Sequence, residues 1–207
     1  MPDFSDEADE AKLGLRRAVL AGRRALSAPV RARAAGLVQA ELAALVRRLR
    51  PRVVTGYVPV GSEPGGPDLP EALAAALRAV DPQPTGLLLP VLRSDLDLDW
   101  ATYTGPAGLH AAGYGLREPT GARLGRSAIS SAGLVVVPAV AVDRRGVRLG
   151  RGGGSYDRAL RRVTPGVPVV ALLHEGELLD AVPALPHDVR VDAVVTPAGG
   201  LVRLPAG

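Results

Sequence analysis

A chain of 207 residues that is 47% apolar and only 3% aromatic holds one core built from Leu, Val and Ala, and a single domain over 1–207 is expected. The formal charge of +4 and pI of about 10.1 suit nucleic acid or small anions, but the scarcity of aromatic rings argues against an RNA-associated protein, so no nucleic-acid partner is expected. The absence of cysteine excludes disulfides, thiolate catalysis, iron–sulfur centres and Cys-based zinc sites.

The first ten residues are acidic and lack the features of a secretory leader, and residues 1–8 read as a disordered tail. No apolar run approaches the roughly 20 residues that span a bilayer, so a cytoplasmic protein without a membrane partner is expected. Residues 7–26 carry Leu13, Ala18, Val19 and Leu26 at helical spacing. Pro29 opens a second helix, 29–49, with Leu37, Val38, Leu42, Leu45, Val46 and Leu49 on one face before Pro51 stops it. Nine arginines between Arg16 and Arg50 punctuate this pair and read as a solvated face. Lys12 is the chain's one lysine, a candidate for work that needs a compact ammonium rather than a guanidinium.

Beyond Pro51 the pattern becomes strand (53–57), Gly/Pro-rich loop, helix (69–80), strand (86–89). Residues 98–103 read as another strand, with Asp95, Asp97 and Asp99 alternating along a solvated edge. Residues 104–131 show no periodicity. Residues 134–137 form a buried strand, 157–162 a short helix whose Arg158, Arg161 and Arg162 read as solvated, and 167–173 and 193–196 later strands. Asp143 and Arg145 suit an ordinary loop pair, and isolated His110 and His174 give no zinc spacing. The alternation predicts an α/β fold, a mainly parallel (mixed) sheet flanked by helices on both faces, in a Rossmann-like three-layer architecture with two N-terminal helices.

The stretch 135–160 carries the chemistry. A buried strand runs into a loop containing Gly146, Gly150, Gly152, Gly153 and Gly154, then into a helix, which exposes backbone N–H groups to a polyphosphate. Arg148 and Arg151 add positive charge, and the ending of a Walker A loop is missing.

Arg148-Leu149-Gly150-Arg151-Gly152-Gly153-Gly154-Ser155-Tyr156-Asp157-Arg158 resembles the signature of the 5-formyltetrahydrofolate cyclo-ligase family. Further stations follow the family's order: Lys12 and Arg16; Tyr57, Pro59 and Glu63; Gly115-Leu116-Arg117-Glu118-Pro119; and Pro186-His187-Asp188. The resemblance implies ATP and Mg²⁺ as cofactors, a reduced folate (5-formyltetrahydrofolate) as partner, and a monomer. It implies ATP binding by Lys12, Arg16, Arg148, Gly150, Arg151, Gly152, Gly153, Gly154, Ser155 and Tyr156, and catalytic roles for Arg151 and Tyr156. It implies substrate contacts from Val58, Glu63, Arg151, Gly153 and Ser155, metal contacts from Asp157 and Asp188, and a structural or supporting place for His187. Many relatives have Tyr where this chain has Ser155, a departure that keeps open a non-catalytic folate- or nucleotide-binding paralogue. Two smaller departures are the missing Thr after Glu63 and the run Leu172-Leu173-His174 in place of an aromatic strand end.

Overall fold

Strands buried on both faces need no polar side, and the Val- and Leu-rich runs of this chain meet that condition. A computed structural model describes residues 4–80, 86–185 and 188–205. Its centre is β1 (Val53–Thr55), β2 (Gly86–Leu92), β6 (Leu134–Pro138), β9 (Val169–Leu172) and β11 (Ala193–Thr196), all mutually parallel. Antiparallel β3 (Leu98–Thr102) and β12 (Gly200–Arg203) close the two edges, giving the order β12-β11-β9-β6-β1-β2-β3. Alternation along each strand feeds two cores. Leu134 and Val136 face the core shared with helices α2 (Ala28–Leu49) and α3 (Leu69–Val80). Val135 and Val137 face one shared with Trp100, Ile129 and the short helix α4 (Ser155–Leu160). The three layers are therefore unequal, long helices on one face and short ones on the other.

Helix α1 (Phe4–Ala25) begins inside the segment expected to be a disordered tail; residues 1–3 lie outside the described residues. It packs Leu15, Val19 and Leu20 against a third core made with a small sheet, β10 (Leu178–Leu179), β7 (Ala141–Asp143) and β8 (Arg148–Leu149). On α2 the buried residues are Val38, Leu42, Leu45 and Val46, each contributing roughly 1.5–3 kcal/mol if fully removed from water. Leu37 and Leu49, expected on the same face, are exposed. The unassigned segment 104–131 contains an antiparallel pair, β4 (Leu109–Ala111) with β5 (Arg117–Pro119), and short 3-10 turns.

The charged residues differ most from expectation. Asp97 and Asp99 are buried rather than on a solvated edge: Asp97 takes both Arg162 and Arg126, and Asp99 caps the backbone N–H of Trp100 and of Gly125. Arg23 is only 2% exposed, so the arginines of α1 are not all solvated. Asp143 and Arg145 do pair, at 2.7 Å, within the turn that joins β7 to β8. Asp143 also accepts from the N–H groups of Arg145, Val147 and Val182. At the same turn Gly146 has φ +85 and approaches the Val191 carbonyl so closely that a Cβ would lie 2.5 Å from it.

Burial alone would raise the Asp143 carboxyl, but the Arg145 guanidinium and three backbone donors outweigh it, and its pKa is lowered. A depressed native pKa gives stability that is present above the unfolded value of about 4 and lost as pH falls through the native one. Asp143→Asn is expected to lower stability by about 1–3 kcal/mol at pH 7 and to flatten its dependence below about pH 4. Urea unfolding of both proteins across that range checks this.

Candidate functional site

Strand order changes direction between β1 and β6: the chain moves from β1 to β2 on one side, then returns to β6, β9 and β11 on the other. Such a switch leaves a crevice beyond the carboxyl ends of the two strands. A cleft of about 720 Å³ lies there, lined by the segments leaving β1 (Tyr57 to Glu63) and β6 (Pro138 to Val140), by the glycine loop, and by α1. Every proposed site residue lines it: Lys12, Arg16, Val58, Glu63, Arg148, Gly150 to Asp157, and Asp188. Pro186 and His187 lie outside the described residues.

Helix α1 carries cations at i, i+4 and i+11, which share one helical face, and the first two, Lys12 and Arg16, line the cleft. Lys12 Nζ donates to Asp188 Oδ2 at 2.6 Å, and both side chains are nearly buried. The same carboxylate oxygen caps the Leu185 N–H at 2.8 Å. Arg16 Nε donates to the Gly150 carbonyl at 2.8 Å, tying helix to loop. Arg23 makes two hydrogen bonds to Glu177, at 2.7 and 2.8 Å, and one to the Ala139 carbonyl at 2.6 Å. Glu177 in turn accepts from the His174 N–H, while the His174 ring lies 2.9 Å from the Ser62 carbonyl. Reading the sequence missed this buried chain because its members stand far apart along the polypeptide and carry no shared spacing.

Glu63 is held from two sides, by the Val60 N–H at 2.8 Å and by Arg151 Nε at 2.9 Å. Arg151 remains half-exposed and lines the cleft. Arg148 is buried, 2.9 Å from Asp157 and 5.7 Å from the centre of the Tyr156 ring. Burial, and then the charge of Glu63, push the Tyr156 phenol well above its ordinary value, which keeps it protonated. Its hydroxyl and Arg148 Nε are buried without a hydrogen-bond partner among the described residues, the condition a bound polar ligand relieves. Ser155 opens α4 beside them, behind left-handed Gly154.

The cleft also has apolar lining that was not assigned from sequence, Leu92, Leu96, Leu98 and Leu116, beside the charged Arg117 and Glu118. Tyr114 stands at the rim, 83% exposed, in a left-handed conformation between Gly113 and Gly115. Its flanking glycines were the available signal.

Among the described residues no group of three His, Asp or Glu side chains is arranged for a metal. Asp157 and Asp188 nevertheless both line the cleft, and this donor set fits a Mg²⁺ ion held by one or two carboxylates with the rest of its shell from phosphate and water. No helix among the described residues is long and apolar enough to cross a membrane.

The sequence matches the 5-formyltetrahydrofolate cyclo-ligase family over residues 8–197. It is 42% identical to a 5-formyltetrahydrofolate cyclo-ligase of Mycolicibacterium smegmatis across 94% of this chain and 97% of that one. A solved structure of Aquifex aeolicus 5,10-methenyltetrahydrofolate synthetase superposes with a TM-score of 0.76 at 29% identity, covering 95% of this chain and 94% of the other. A Mycoplasma pneumoniae 5,10-methenyltetrahydrofolate synthetase shares the fold, with a TM-score of 0.67 at 20% identity over 88% of this chain and 96% of the other. A match that spans nearly the whole chain, and that includes every element around the cleft, shows that the protein belongs to the 5-formyltetrahydrofolate cyclo-ligase family of enzymes.

Proposed function

We propose that the enzyme uses Mg-ATP to convert 5-formyltetrahydrofolate into 5,10-methenyltetrahydrofolate, releasing ADP and phosphate. The observation that carries this reading is the meeting of α1 and the glycine loop in one cleft, tied by the bond from Arg16 to Gly150, with leucine side chains in the same cleft that suit the face of a pterin. The formyl oxygen attacks the γ-phosphorus and the bond to ADP breaks. N10 then attacks the formyl carbon and gives up its proton, and the carbon–oxygen bond breaks to release phosphate.

No protein nucleophile is required, so the residues act by alignment and charge. Lys12, Arg16 and the amides of 150–154 face the phosphates. Arg151, oriented by Glu63, donates to oxygen as it gains charge, and Tyr156 donates from its protonated phenol. Val58 and Glu63 bound the folate side, and Ser155 leaves there a smaller, more hydrated wall than a Tyr would. Asp157 and Asp188 would hold Mg²⁺, which supplies charge neutralisation at the phosphates when bound. Purified protein mixed with 5-formyltetrahydrofolate and Mg-ATP should develop the ultraviolet absorbance of the methenyl product; binding of both ligands without it would favour the non-catalytic paralogue.

Lys12 is only 4% exposed, in a space filled by an ammonium against Asp188. Lys12→Ala should raise the KM for ATP and lower kcat, a loss on the order of 2–4 kcal/mol in kcat/KM, with the folate KM moving less. Lys12→Arg should fail to restore activity, because a planar fork does not replace a compact charge in a closed site. Steady-state kinetics of the two variants against each substrate give the answer.

Asp157→Asn should raise the Mg²⁺ concentration needed for half-maximal rate. Because Asp157 also pairs with buried Arg148, the same change should cost about 1–3 kcal/mol of stability, more than a purely metal-binding carboxylate would. A Mg²⁺ titration beside a denaturant titration separates the two effects.

A further inference from the structure

The glycine loop is tethered at three points. Arg16 holds Gly150 and Glu63 holds Arg151, both residues with assigned roles above. The third tether is Arg158, one turn into α4, whose terminal nitrogen donates to the Gly153 carbonyl at 2.9 Å and to the Leu96 carbonyl at 2.7 Å. Arg158 does not line the cleft. It lies so close over Gly154, itself at φ +66, that a Cβ there would come within 2.9 Å of the guanidinium.

The other end of this bridge is built to be rigid. Leu96 sits at the tip of the β2–β3 hairpin with φ +61, a conformation that costs a branched aliphatic residue on the order of 1 kcal/mol and persists only where surroundings impose it. The tip closes through Arg93 N–H to the Asp97 carbonyl and Leu96 N–H to the Arg93 carbonyl, both at 3.0 Å. Asp97 is buried and takes two bonds from Arg162, at 3.0 and 2.7 Å, with Arg126 at 3.2 Å. A well-anchored hairpin thus faces a loop whose three consecutive glycines give it little stiffness of its own.

We propose that Arg158 is a positioning residue that hangs the glycine loop on the β2–β3 hairpin, so that the amides of 152–154 are held in shape before a phosphate arrives. The claim about phosphate rests on the function proposed above; the claim about the brace does not. Arg158 and Arg162, expected to be solvated, are the two ends of one clamp: α4 is fixed to the hairpin at Leu96, and the turn just after it at Asp97.

The test is Arg158→Met, which keeps an apolar stem and removes the donor, beside Arg158→Lys, whose ammonium has donors enough for both carbonyls. In ligand-free protein, backbone NMR order parameters at Gly152, Gly153 and Gly154 should fall from about 0.85 toward 0.6 in the Met variant and recover in the Lys variant. The ATP KM should rise about tenfold in the Met variant with the folate KM within about twofold, and the thermal midpoint should move by less than about 2 °C. Unchanged order parameters in Arg158→Met would overturn the brace. An equal rise in both KM values with a lowered midpoint would also overturn it, in favour of a general structural role. If the unmodified enzyme makes no use of Mg-ATP, the proposed function fails, and the order parameters still decide the brace.

Discussion

Everything at the site depends on docking α1 through a row of cations. Burying Arg23 carries a desolvation cost of several kcal/mol, which is tolerable because two bonds to Glu177 and two to main-chain carbonyls replace its water. Once that guanidinium is fixed, the 3.6-residue period leaves Lys12 and Arg16 no choice of direction. They arrive at the cleft together, one on Asp188 and one on the Gly150 carbonyl. The apolar contribution from Leu15, Val19 and Leu20 is modest by comparison with that of α2, so polar geometry decides where this helix sits.

The loop proposed to take phosphate faces opposing demands. Its N–H groups must stay free of internal partners, which requires glycine and exposure, yet a loop that wanders loses affinity to the entropy of ordering it. The chain meets both demands by restraining carbonyl groups and side chains while leaving amides open. Gly150 and Gly153 are held through their oxygens and Arg151 through its guanidinium, two of them by distant residues, Arg16 and Glu63, and one by Arg158 of the helix that follows the loop. The buried turn at Asp143 and Gly146 fixes where the loop begins, and α4 fixes where it ends.

Local signals were legible and long-range ones were not. Helix α3, strand β11 and the glycine loop follow from periodicity and from a contiguous motif, and the parallel sheet follows from their alternation. The two-residue strands β8 and β10 have no periodicity to detect, because pairing alone makes them strands. Asp97 and Arg162 look like surface charges until the fold places them together, as do Arg23 and Glu177. Alternating aspartates suggest one wet face where strand geometry runs throughout, whereas the tight turn at 93–97 turns Asp97 toward Arg162. Composition could report that charge was available but not which charges would meet.

The same pairing shapes how the cleft would treat a polyanion. Its lining holds five cationic side chains (Lys12, Arg16, Arg117, Arg148, Arg151) and five carboxylates (Asp9, Glu63, Glu118, Asp157, Asp188), so the cleft is balanced rather than strongly positive. Attraction at a distance is therefore weak, and recognition has to come from exchange of partners at contact. In the proposed reaction a triphosphate that takes Lys12 as its partner draws the ammonium away from the Asp188 carboxylate, and weakening a nearly buried ion pair is costly. A divalent cation arriving with the nucleotide answers that cost, since it offers the carboxylate a new counter-charge at the moment the old one is withdrawn. Neither the nucleotide without the cation nor the cation without the nucleotide makes such an exchange even. On this physical ground the two would bind as a unit in the proposed reaction, coupled through the ion pair of Lys12 and Asp188.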